Sequence, residues 1–515
     1  MKALHEVLER KYGDSPERVL QFGEGNFLRG FADWMIDCAN SESGADGEKA
    51  AGAYEGSIVL CQPIRQGMGE IINRQKGMYT LLMRGRENGV AREEAAVISS
   101  VSRCINPYED YDALLAIARS PELQVIISNT TEAGIAWQDG CALTDAPPAS
   151  YPAKLTAFLY ERYTAFGGSA ESRLLVLPVE LIDDNGSTLR HLVRRHAEEW
   201  QLPEGFLAWL EKHVSFANTL VDRIVTGYPR EDIAAIEAGL GYTDDLLVTS
   251  ELFNLWVIEA DAAWGDVLPV GRANPDASSK PSGGVRANVI WTDNAAPYKK
   301  RKVRILNGGH TSMVLAGYLA GHDTVLDCMQ DATFREYLRR LLFDEVIPTL
   351  DLPREDLEDF ARSVIDRFDN PYIRHRLLDI SLNSCSKFAA RCVPSLLAYR
   401  EATQKLPDLL VFSLAAFMAF YRGTLRDGTY TGVRPDGTVY EIRDDAQVLA
   451  FFDSLWNGPV GKDPQALVAA VLARSDFWNG QSLLDVPGLV EQTAAHLRQI
   501  LEQGDMRRSV AALLQ

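Results

Sequence analysis

The strongest constraint on the fold is a series of short, almost wholly apolar segments in the first half of the chain, separated by helix-like segments. We predict strands at four of them: 18–22, 57–61, 123–128 and 174–179. Helical patterns lie between them at 111–119 and 151–166, and Pro152 suits the first turn of the second. Strands that are apolar on both faces indicate a parallel sheet covered by helices on both sides.

Helical periodicity dominates from about residue 300 onward. Apolar residues recur three and four apart in seven segments: 311–319, 331–342, 355–367, 386–403, 406–422, 444–456 and 464–474. The segment 428–442 instead indicates a hairpin or an irregular excursion. Stretches 41–56 and 265–284, rich in glycine and small or polar residues, are predicted loops.

The length of 515 residues is too great for one hydrophobic core. We therefore predict an α/β domain at 1–285 and a mostly α-helical domain at 286–515. Clefts between domains are common ligand sites, and we expect the substrate to bind in one.

Composition excludes several classes of function. The net charge of −19 argues against a nucleic-acid partner, although a few local cations can still bind a small anionic substrate. Seven cysteines without a C-x-x-C pair favour a reducing compartment. No apolar run is typical of a signal peptide or a membrane span. We expect a soluble cytoplasmic protein with no membrane partner.

A glycine-rich loop, residues 23–30, follows the first predicted strand and opens a helix. Its glycines let the backbone turn tightly and approach a pyrophosphate, which the helix N–H groups can then bind. The spacing differs from G-x-G-x-x-G because Leu28 occupies the third glycine position, and an ordinary strand-to-helix turn is the alternative. The surrounding strands favour a Rossmann-type nucleotide site. The candidate cofactor-binding residues here are Phe22, Gly23, Gly25, Asn26 and Phe27.

The end of the second predicted strand leaves the cofactor undecided. An acid is expected there to hold the adenosine ribose. The sequence 62–65 contains none, and Arg65 is suited to a 2′-phosphate. The motif alone therefore leaves both NAD and NADP open.

A second candidate site lies at 298–311. If this segment is a regular helix, Lys302, Asn307 and His310 fall within an arc of about 140°, so one cleft can contact all three. A lysine with a depressed pKa can remove an alcohol proton as hydride leaves. An asparagine amide can stabilise the oxyanion, and a neutral histidine can orient the substrate. The alternative is a solvated basic helix start. No zinc signature is present, which favours metal-free hydride transfer.

The pattern Lys302-x4-Asn307-x2-His310 resembles the Lys-Asn-His motif of the polyol-specific long-chain dehydrogenases, the mannitol dehydrogenase family, and the resemblance spans nearly the whole chain. It implies that Lys302 is the general acid/base, Asn307 the oxyanion donor and His310 a substrate-orienting residue. It also implies NAD as the cofactor, a Rossmann-type domain followed by a helical domain, no metal, and a monomer or small homo-oligomer.

Two further segments resemble this family. Residues 220–224 match a V-D-R-I segment whose aspartate lies in the active site, which implies substrate-binding roles for Asp222 and Arg223. Alternatively, Asp222 pairs with its neighbour Arg223, as is common in an Asp–Arg dipeptide. Residues 383–387 are similar to a D-G-S-x-K stretch, whose lysine, here Lys387, faces the substrate.

Other segments narrow the resemblance to a branch that acts on sugar acids: 21–29, 128–135, 180–183 and 380–384. Glu180 is followed by Leu181 where mannitol dehydrogenases carry an asparagine, and Asp379 replaces an arginine. The branch implies a hexuronate/aldonate pair as substrate, with Asn129 and Thr130 near the nicotinamide.

The carboxylate of such a substrate needs a cation. We predict that one of the basic cluster Arg374, His375 and Arg376 binds it, with Arg374 as the candidate, because arginine suits planar bidentate pairing; surface charge is the alternative. Three functions stay open as alternatives to the favoured sugar acid: a fructuronate/mannonate dehydrogenase, a polyol dehydrogenase and an inactive nucleotide sensor.

Overall fold

The computed structural model describes residues 1–12, 15–41, 54–131, 133–271 and 285–515. They divide into two units, the first comprising Met1–Arg84 and Arg92–Ala295, the second Gly85–Ala91 and Ala296–Gln515. Most of the two predicted loops, 41–56 and 265–284, lies outside the described residues.

The strands before residue 296 are β1 (Glu17–Phe22), β2 (Ser57–Cys61), β3 (Tyr79–Glu87), β4 (Val90–Ile98), β5 (Val101–Ile105), β6 (Val125–Ser128), β7 (Leu174–Pro178), β8 (Val214–Phe216), β9 (Asn218–Asp222), β10 (Val225–Gly227), β11 (Val248–Ser250), β12 (Leu255–Glu259) and β13 (Val289–Thr292). The α-helices there are α1 (Leu4–Val7), α2 (Asn26–Arg29), α3 (Ala32–Ser41), α4 (Gly69–Arg74), α5 (Tyr111–Ala118), α6 (Tyr151–Phe166), α7 (Asn185–Glu199), α8 (Glu204–His213), α9 (Ile233–Leu240) and α10 (Trp264–Val267).

A parallel six-stranded sheet with the order β5-β2-β1-β6-β7-β8 forms the centre of the first unit. The strand order changes direction between β1 and β6, since β2 and β5 are added on one side of β1 and β6, β7 and β8 on the other. Ligands of such sheets bind beyond the carboxyl ends of the strands at this point. Alternate residues of β1 face two separate apolar cores, with Val19 in one and Leu20 in the other. The predicted parallel sheet covered on both faces is confirmed.

The periodicity located some elements well and missed others. Helix 151–166 and strand 57–61 have the predicted bounds. Strand β5 was missed, because its centre is polar: Ser102 and Arg103 lie at the partly exposed edge of the sheet, where Arg103 pairs with Glu17 at 2.8 Å. The four-stranded sheet β10-β11-β3-β4 was also missed, since it joins segments more than 150 residues apart.

The second unit is mostly helical, as predicted. Its α-helices are α11 (Ala296–Arg301), α12 (Gly308–Leu319), α13 (Val325–Gln330), α14 (Ala332–Arg340), α15 (Arg354–Phe368), α16 (Leu377–Ile380), α17 (Ser384–Arg391), α18 (Val393–Thr403), α19 (Asp408–Phe420), α20 (Ala446–Asn457), α21 (Pro464–Leu472), α22 (Leu489–Gln503) and α23 (Met506–Leu513). Two π-helical turns lie at Lys302–Asn307 and Leu341–Val346. The strands are β14 (Gly423–Arg426), β15 (Thr429–Val433) and β16 (Val439–Glu441).

Two details of the second unit differ from expectation and one agrees with it. The helix predicted at 386–403 is two helices, since α17 ends at Arg391 and α18 begins at Val393, with Pro394 in its first turn. The segment 428–442, predicted as a hairpin or an irregular excursion, is a hairpin in which β15 and β16 pair antiparallel within a three-stranded sheet. Strand β13 pairs with β12, so the division between the units lies after Ala295 and not at residue 285.

Helix α7 carries a buried histidine whose ring nitrogens have no hydrogen-bond partner among the described residues. His196 stacks on Trp137 with the ring centroids 4.2 Å apart. Burial, and then the nearby Arg195, lower the pKa of His196 to about 4. The ring is therefore neutral at pH 7, and its protonation opposes folding.

We predict that His196 makes the protein less stable as the pH falls from about 6.5 towards 4. The unfolded chain binds a proton there with the ordinary histidine pKa, and the folded chain does not, so the loss is about 2 kcal/mol at pH 5. His196→Phe keeps the stacking and removes the titration. Its thermal unfolding midpoint is expected to fall less between pH 7.5 and 5 than that of the wild type.

The exposed His191 on the same helix provides the control. His191→Gln should keep the wild-type pH dependence. An equal fall in the midpoint of His196→Phe and the wild type would contradict the assignment of this pH dependence to His196.

Candidate active site

The glycine loop of the first unit turns where a side chain has no room. Gly23 has φ +125°, and a Cβ there would lie 2.9 Å from Leu28 Cδ1 and 3.0 Å from the backbone oxygen of Asn129. At Gly25 a Cβ would meet no atom within 4 Å. The loop is thus closed on its inner side and open on its outer side, where a ligand can approach the backbone.

Two buried side chains fix the conformation of this loop through hydrogen bonds. The Gln21 amide donates to the backbone oxygen of Gly23 at 3.1 Å. Arg29 donates to the backbone oxygen of Glu24 at 3.1 Å and to the Asn26 side chain at 2.8 Å. Because both donors are buried, the loop conformation is fixed by the protein itself.

The helix expected after the loop is broken into α2 and α3 around Gly30. Gly25 is the N-cap of α2 and provides no side-chain capping bond. Phe27 stacks on Phe31 at 5.1 Å. The Phe22 side chain is wholly buried against Tyr151, so only its backbone can face a ligand.

A buried carboxylate organises the carboxyl end of β6. Glu180 Oε1 accepts hydrogen bonds from the backbone N–H and the hydroxyl of Thr130 at 2.9 and 3.0 Å, and Oε2 accepts one from Ser128 at 3.1 Å. Burial raises the pKa of Glu180. The Asn129 amide donates to the backbone oxygen of Val179 at 3.2 Å. The positioning role of Glu180 was missed from the sequence, since it depends on β6 and β7 being neighbours.

Asp222 is the last residue of strand β9, Arg223 directly follows it, and both are buried. Arg223 donates to the backbone oxygens of Glu251 and Gly30 at 3.0 and 2.8 Å. Its guanidinium also lies over the Trp34 ring, 4.3 Å from the centroid. Through these bonds, Arg223 joins the end of β9 to the glycine loop. Contacts of Asp222 and Arg223 with a substrate stay predictions.

In the second unit, Lys302 and Asn307 are the first and last residues of a π-helical turn. The N–H of Gly308 donates to the carbonyl of Val303, five residues earlier. The arc expected for a regular α-helix is therefore wrong for this segment. Single π turns within helices occur frequently at functional sites, because they redirect the side chains around them.

His310 lies one turn further along, in α12, between an aromatic ring and a second histidine. It stacks on Phe368 at 3.8 Å with an interplanar angle of 11°, and meets the edge of His375 at 5.2 Å. Burial first, then the charges of His375, Arg367, Arg391 and Lys387, lower the pKa of His310 well below its usual value. Its imidazole is neutral at physiological pH.

Two of these cations lie four residues apart on α17. Lys387 donates to the backbone oxygen of Ile380 at 2.8 Å, and Arg391 donates to the Thr311 hydroxyl at 3.3 Å. Burial lowers the pKa of both side chains. Arg391 was not recognised in the sequence, although its i, i+4 spacing from Lys387 was a usable signal.

The remaining basic residues have other surroundings. Arg374 is exposed, and from its stretch only His375 contacts His310. A contact of Arg374 with a carboxylate stays a prediction. Lys300 pairs with Asp351 at 2.7 Å, and Arg304 donates to Ser395 at 3.2 Å.

The described residues contain no group of three or more His, Cys, Asp or Glu placed to hold a metal ion. In the same part of the chain, no helix is long and apolar enough to cross a membrane. All seven cysteines are free thiols.

Comparison with known proteins agrees with this architecture. The chain matches the mannitol dehydrogenase Rossmann domain over residues 17–267 and the mannitol dehydrogenase C-terminal domain over residues 294–501. Altronate oxidoreductases of Shigella flexneri and of Escherichia coli strain K12 are each 44% identical over 501 residues, 97% of this chain and 97% of theirs.

Two solved structures share the fold at 22% identity. The substrate-free D-sorbitol dehydrogenase aligns with a TM-score of 0.76 over 97% of this chain and 96% of its own. Mannitol 2-dehydrogenase of Pseudomonas fluorescens, solved in a ternary complex with NAD and D-mannitol, aligns with a TM-score of 0.62 over 98% and 95%. By sequence and by fold, this chain belongs to the mannitol dehydrogenase family of oxidoreductases.

Proposed function

We propose that this protein is an NAD-dependent tagaturonate reductase (altronate oxidoreductase), which transfers hydride reversibly between D-tagaturonate and D-altronate. The main support is its similarity to altronate oxidoreductases, which spans both units and so includes the nucleotide-binding and the helical half. The cations beside His310 favour an anionic sugar over a neutral polyol.

The residues of the first unit fit a nicotinamide dinucleotide. The open face of the loop at Gly25 leaves room for a pyrophosphate against the backbone, as in other Rossmann-type domains. Asn129 and Thr130 follow β6, at the switch point of the sheet, which suits the nicotinamide end. When bound, this cofactor supplies the hydride acceptor or donor.

A carboxylate near the end of β2 favours NAD over NADP. Glu24 lies between the two loop glycines, and its Oε1 would be 2.3 Å from a Cβ at Gly67. The Gln62 amide is beside the same position. Gln62, Arg65 and Gly67 line a cavity of about 710 Å³ beyond the carboxyl ends of β2 and β5, where an adenosine ribose fits. A 2′-phosphate there would meet the negative charge of Glu24 beside Gly67 as well as the positive charge of Arg65.

The residues of the second unit supply the proton chemistry. Lys302 takes the proton of the altronate hydroxyl during oxidation and returns it to the ketone oxygen during reduction. Asn307, at the other end of the π turn, donates its amide to the same oxygen. The neutral His310, held by its stack on Phe368, orients a substrate hydroxyl, and Lys387 adds a positive charge. In the first unit, Asp222 is a proposed substrate-binding residue.

We infer the cellular location from the cysteines and the net charge of the chain. Seven free thiols and a net charge of −19 are typical of a soluble cytoplasmic enzyme. We expect a monomer or a small homo-oligomer, and light scattering after size exclusion measures which.

The substrate is tested by NADH oxidation with tagaturonate, fructuronate and fructose, each repeated with NADPH. We expect the highest kcat/KM with tagaturonate and NADH. A preference for fructuronate or fructose would replace the proposed substrate, and a preference for NADPH would replace the proposed cofactor.

The role of Lys302 is tested with Lys302→Met, which removes the amine and keeps the length of the side chain. We expect kcat to fall by about 10²- to 10⁴-fold, the usual contribution of a general acid/base, with unchanged affinity for NADH by fluorescence titration. Lys300→Met is the matched control, because Lys300 forms an exposed ion pair with Asp351, and its kcat should change less than twofold. Equal losses in the two variants would exclude a specific role for Lys302.

Glu24→Gln tests the cofactor preference without turnover. Loss of the negative charge should tighten NADPH binding about tenfold, or ~1.4 kcal/mol, and change NADH binding much less. Fluorescence titration of both nucleotides measures the ratio. Glu122→Gln, which removes an exposed carboxylate elsewhere in the unit, should leave the ratio unchanged. A ratio unaltered in Glu24→Gln would remove Glu24 from cofactor selection.

A further inference from the structure

Helix α17 presents two positive charges side by side. Lys387 and Arg391 are four residues apart, and such residues are neighbours on a helix surface, where like charges destabilise the helix. Both side chains are partly buried, so water screens the repulsion poorly. The charge of Arg391 also lowers the pKa of Lys387. An anion bound between them would offset this cost.

Both cations have neutral protein partners. Lys387 donates to a backbone carbonyl, and Arg391 donates from one nitrogen to the Thr311 hydroxyl. The ion pairs formed among the described residues include neither side chain, and Asp444, the acid that acts on Lys387, does so only through its charge. A guanidinium has five N–H donors, so Arg391 has donors in excess of its bond to Thr311.

Arg391 is also close to the proposed proton-transfer residues. Its backbone oxygen would lie 3.3 Å from a Cβ at Gly308, which directly follows Asn307. Its hydroxyl partner, Thr311, directly follows His310. The positive charge of Arg391 therefore lies next to the helical turn that carries Asn307 and His310.

We propose that Arg391 binds the carboxylate of the sugar acid and thereby distinguishes acids from neutral polyols, an inference that rests on the proposed function. The planar guanidinium can pair with a carboxylate through two parallel hydrogen bonds, and Lys387 adds a second charge. A neutral polyol leaves both cations without a counter-charge. Discrimination comes from this difference as much as from the contact with the acid.

The test measures binding without turnover. Altronate cannot react with the NADH complex of the enzyme, so calorimetry on that complex reports affinity alone. We expect the wild type to bind altronate more tightly than altritol, the corresponding neutral polyol. Arg391→Gln should weaken altronate binding about 10- to 100-fold, as expected for loss of a charge-assisted pair, and leave altritol binding unchanged. In turnover, KM for altronate should rise more than kcat falls.

Three further variants complete the comparison. Arg391→Lys keeps the charge and should recover part of the affinity for altronate. Arg400→Gln on the next helix removes a charge that is bonded to the backbone of Gln404, and should match the wild type. Arg374→Ala tests the exposed alternative predicted from the sequence, and a rise in KM for altronate confined to that variant would assign the carboxylate to Arg374 and not to Arg391.

Equal weakening of altronate and altritol in Arg391→Gln, or no weakening at all, would overturn the assignment, as would a large effect confined to Arg374→Ala. Unchanged NADH affinity and unfolding midpoint establish that the variant is folded. If the wild type prefers another sugar acid, the proposed substrate fails alone, because the same comparison can be made with that acid and its polyol.

Discussion

The buried guanidinium of Arg29 fixes the glycine turn on which the nucleotide-binding half depends. It donates to the backbone of Glu24, to the backbone of Leu246 and to the side chain of Asn26, and it lies over the Tyr79 ring. One charged group thus joins the turn, the start of α2 and the segment before β11. Because these bonds exist within the protein, the turn is ordered before any ligand arrives, and binding does not bear the cost of ordering it.

A buried carboxylate fixes the backbone at the end of the neighbouring strand, β6. Glu180 accepts hydrogen bonds from Ser128 and Thr130 with its two carboxylate oxygens, so side-chain hydrogen bonds hold the carboxyl end of β6 as they hold the glycine turn beside it. The carboxyl edge of the sheet is therefore bordered by two segments that buried side chains fix in place. Asn129 lies between them, and its backbone oxygen closes the inner side of Gly23.

The parts of the fold that the sequence predicted are those specified by local signals. Helix α6 begins at the Ser150 cap and ends at Gly167, in the left-handed conformation, so both ends were readable. The sheet containing β3 was not predicted, because β11, the strand that pairs with β3, lies far along the chain. The π turn was also unpredictable, since a shift from four- to five-residue bonding depends on tertiary packing.

The candidate site likewise contains residues that the sequence predicted and residues whose proximity it did not predict. Lys302, Asn307 and His310 were recognisable because they lie within nine residues of sequence and match a family motif. The proximity of Arg391 and His375 to His310 was not predictable, because it arises from the packing of α12 against later segments of the unit. The residues proposed to recognise the substrate charge are thus harder to predict than those proposed to move a proton, since they come from separate elements.

The cations of the second unit serve two chemical requirements together. Together with burial, which is the larger cause, their charges lower the pKa of His310, and a neutral ring can both donate and accept a hydrogen bond with a sugar hydroxyl. The same charges, desolvated and close to one another, leave the unliganded site with an excess of positive potential. An anionic substrate reduces that excess, which would draw the pKa of His310 back towards its usual value. The stack on Phe368 opposes this shift, because a buried ring disfavours the charged imidazolium whether or not an anion is bound.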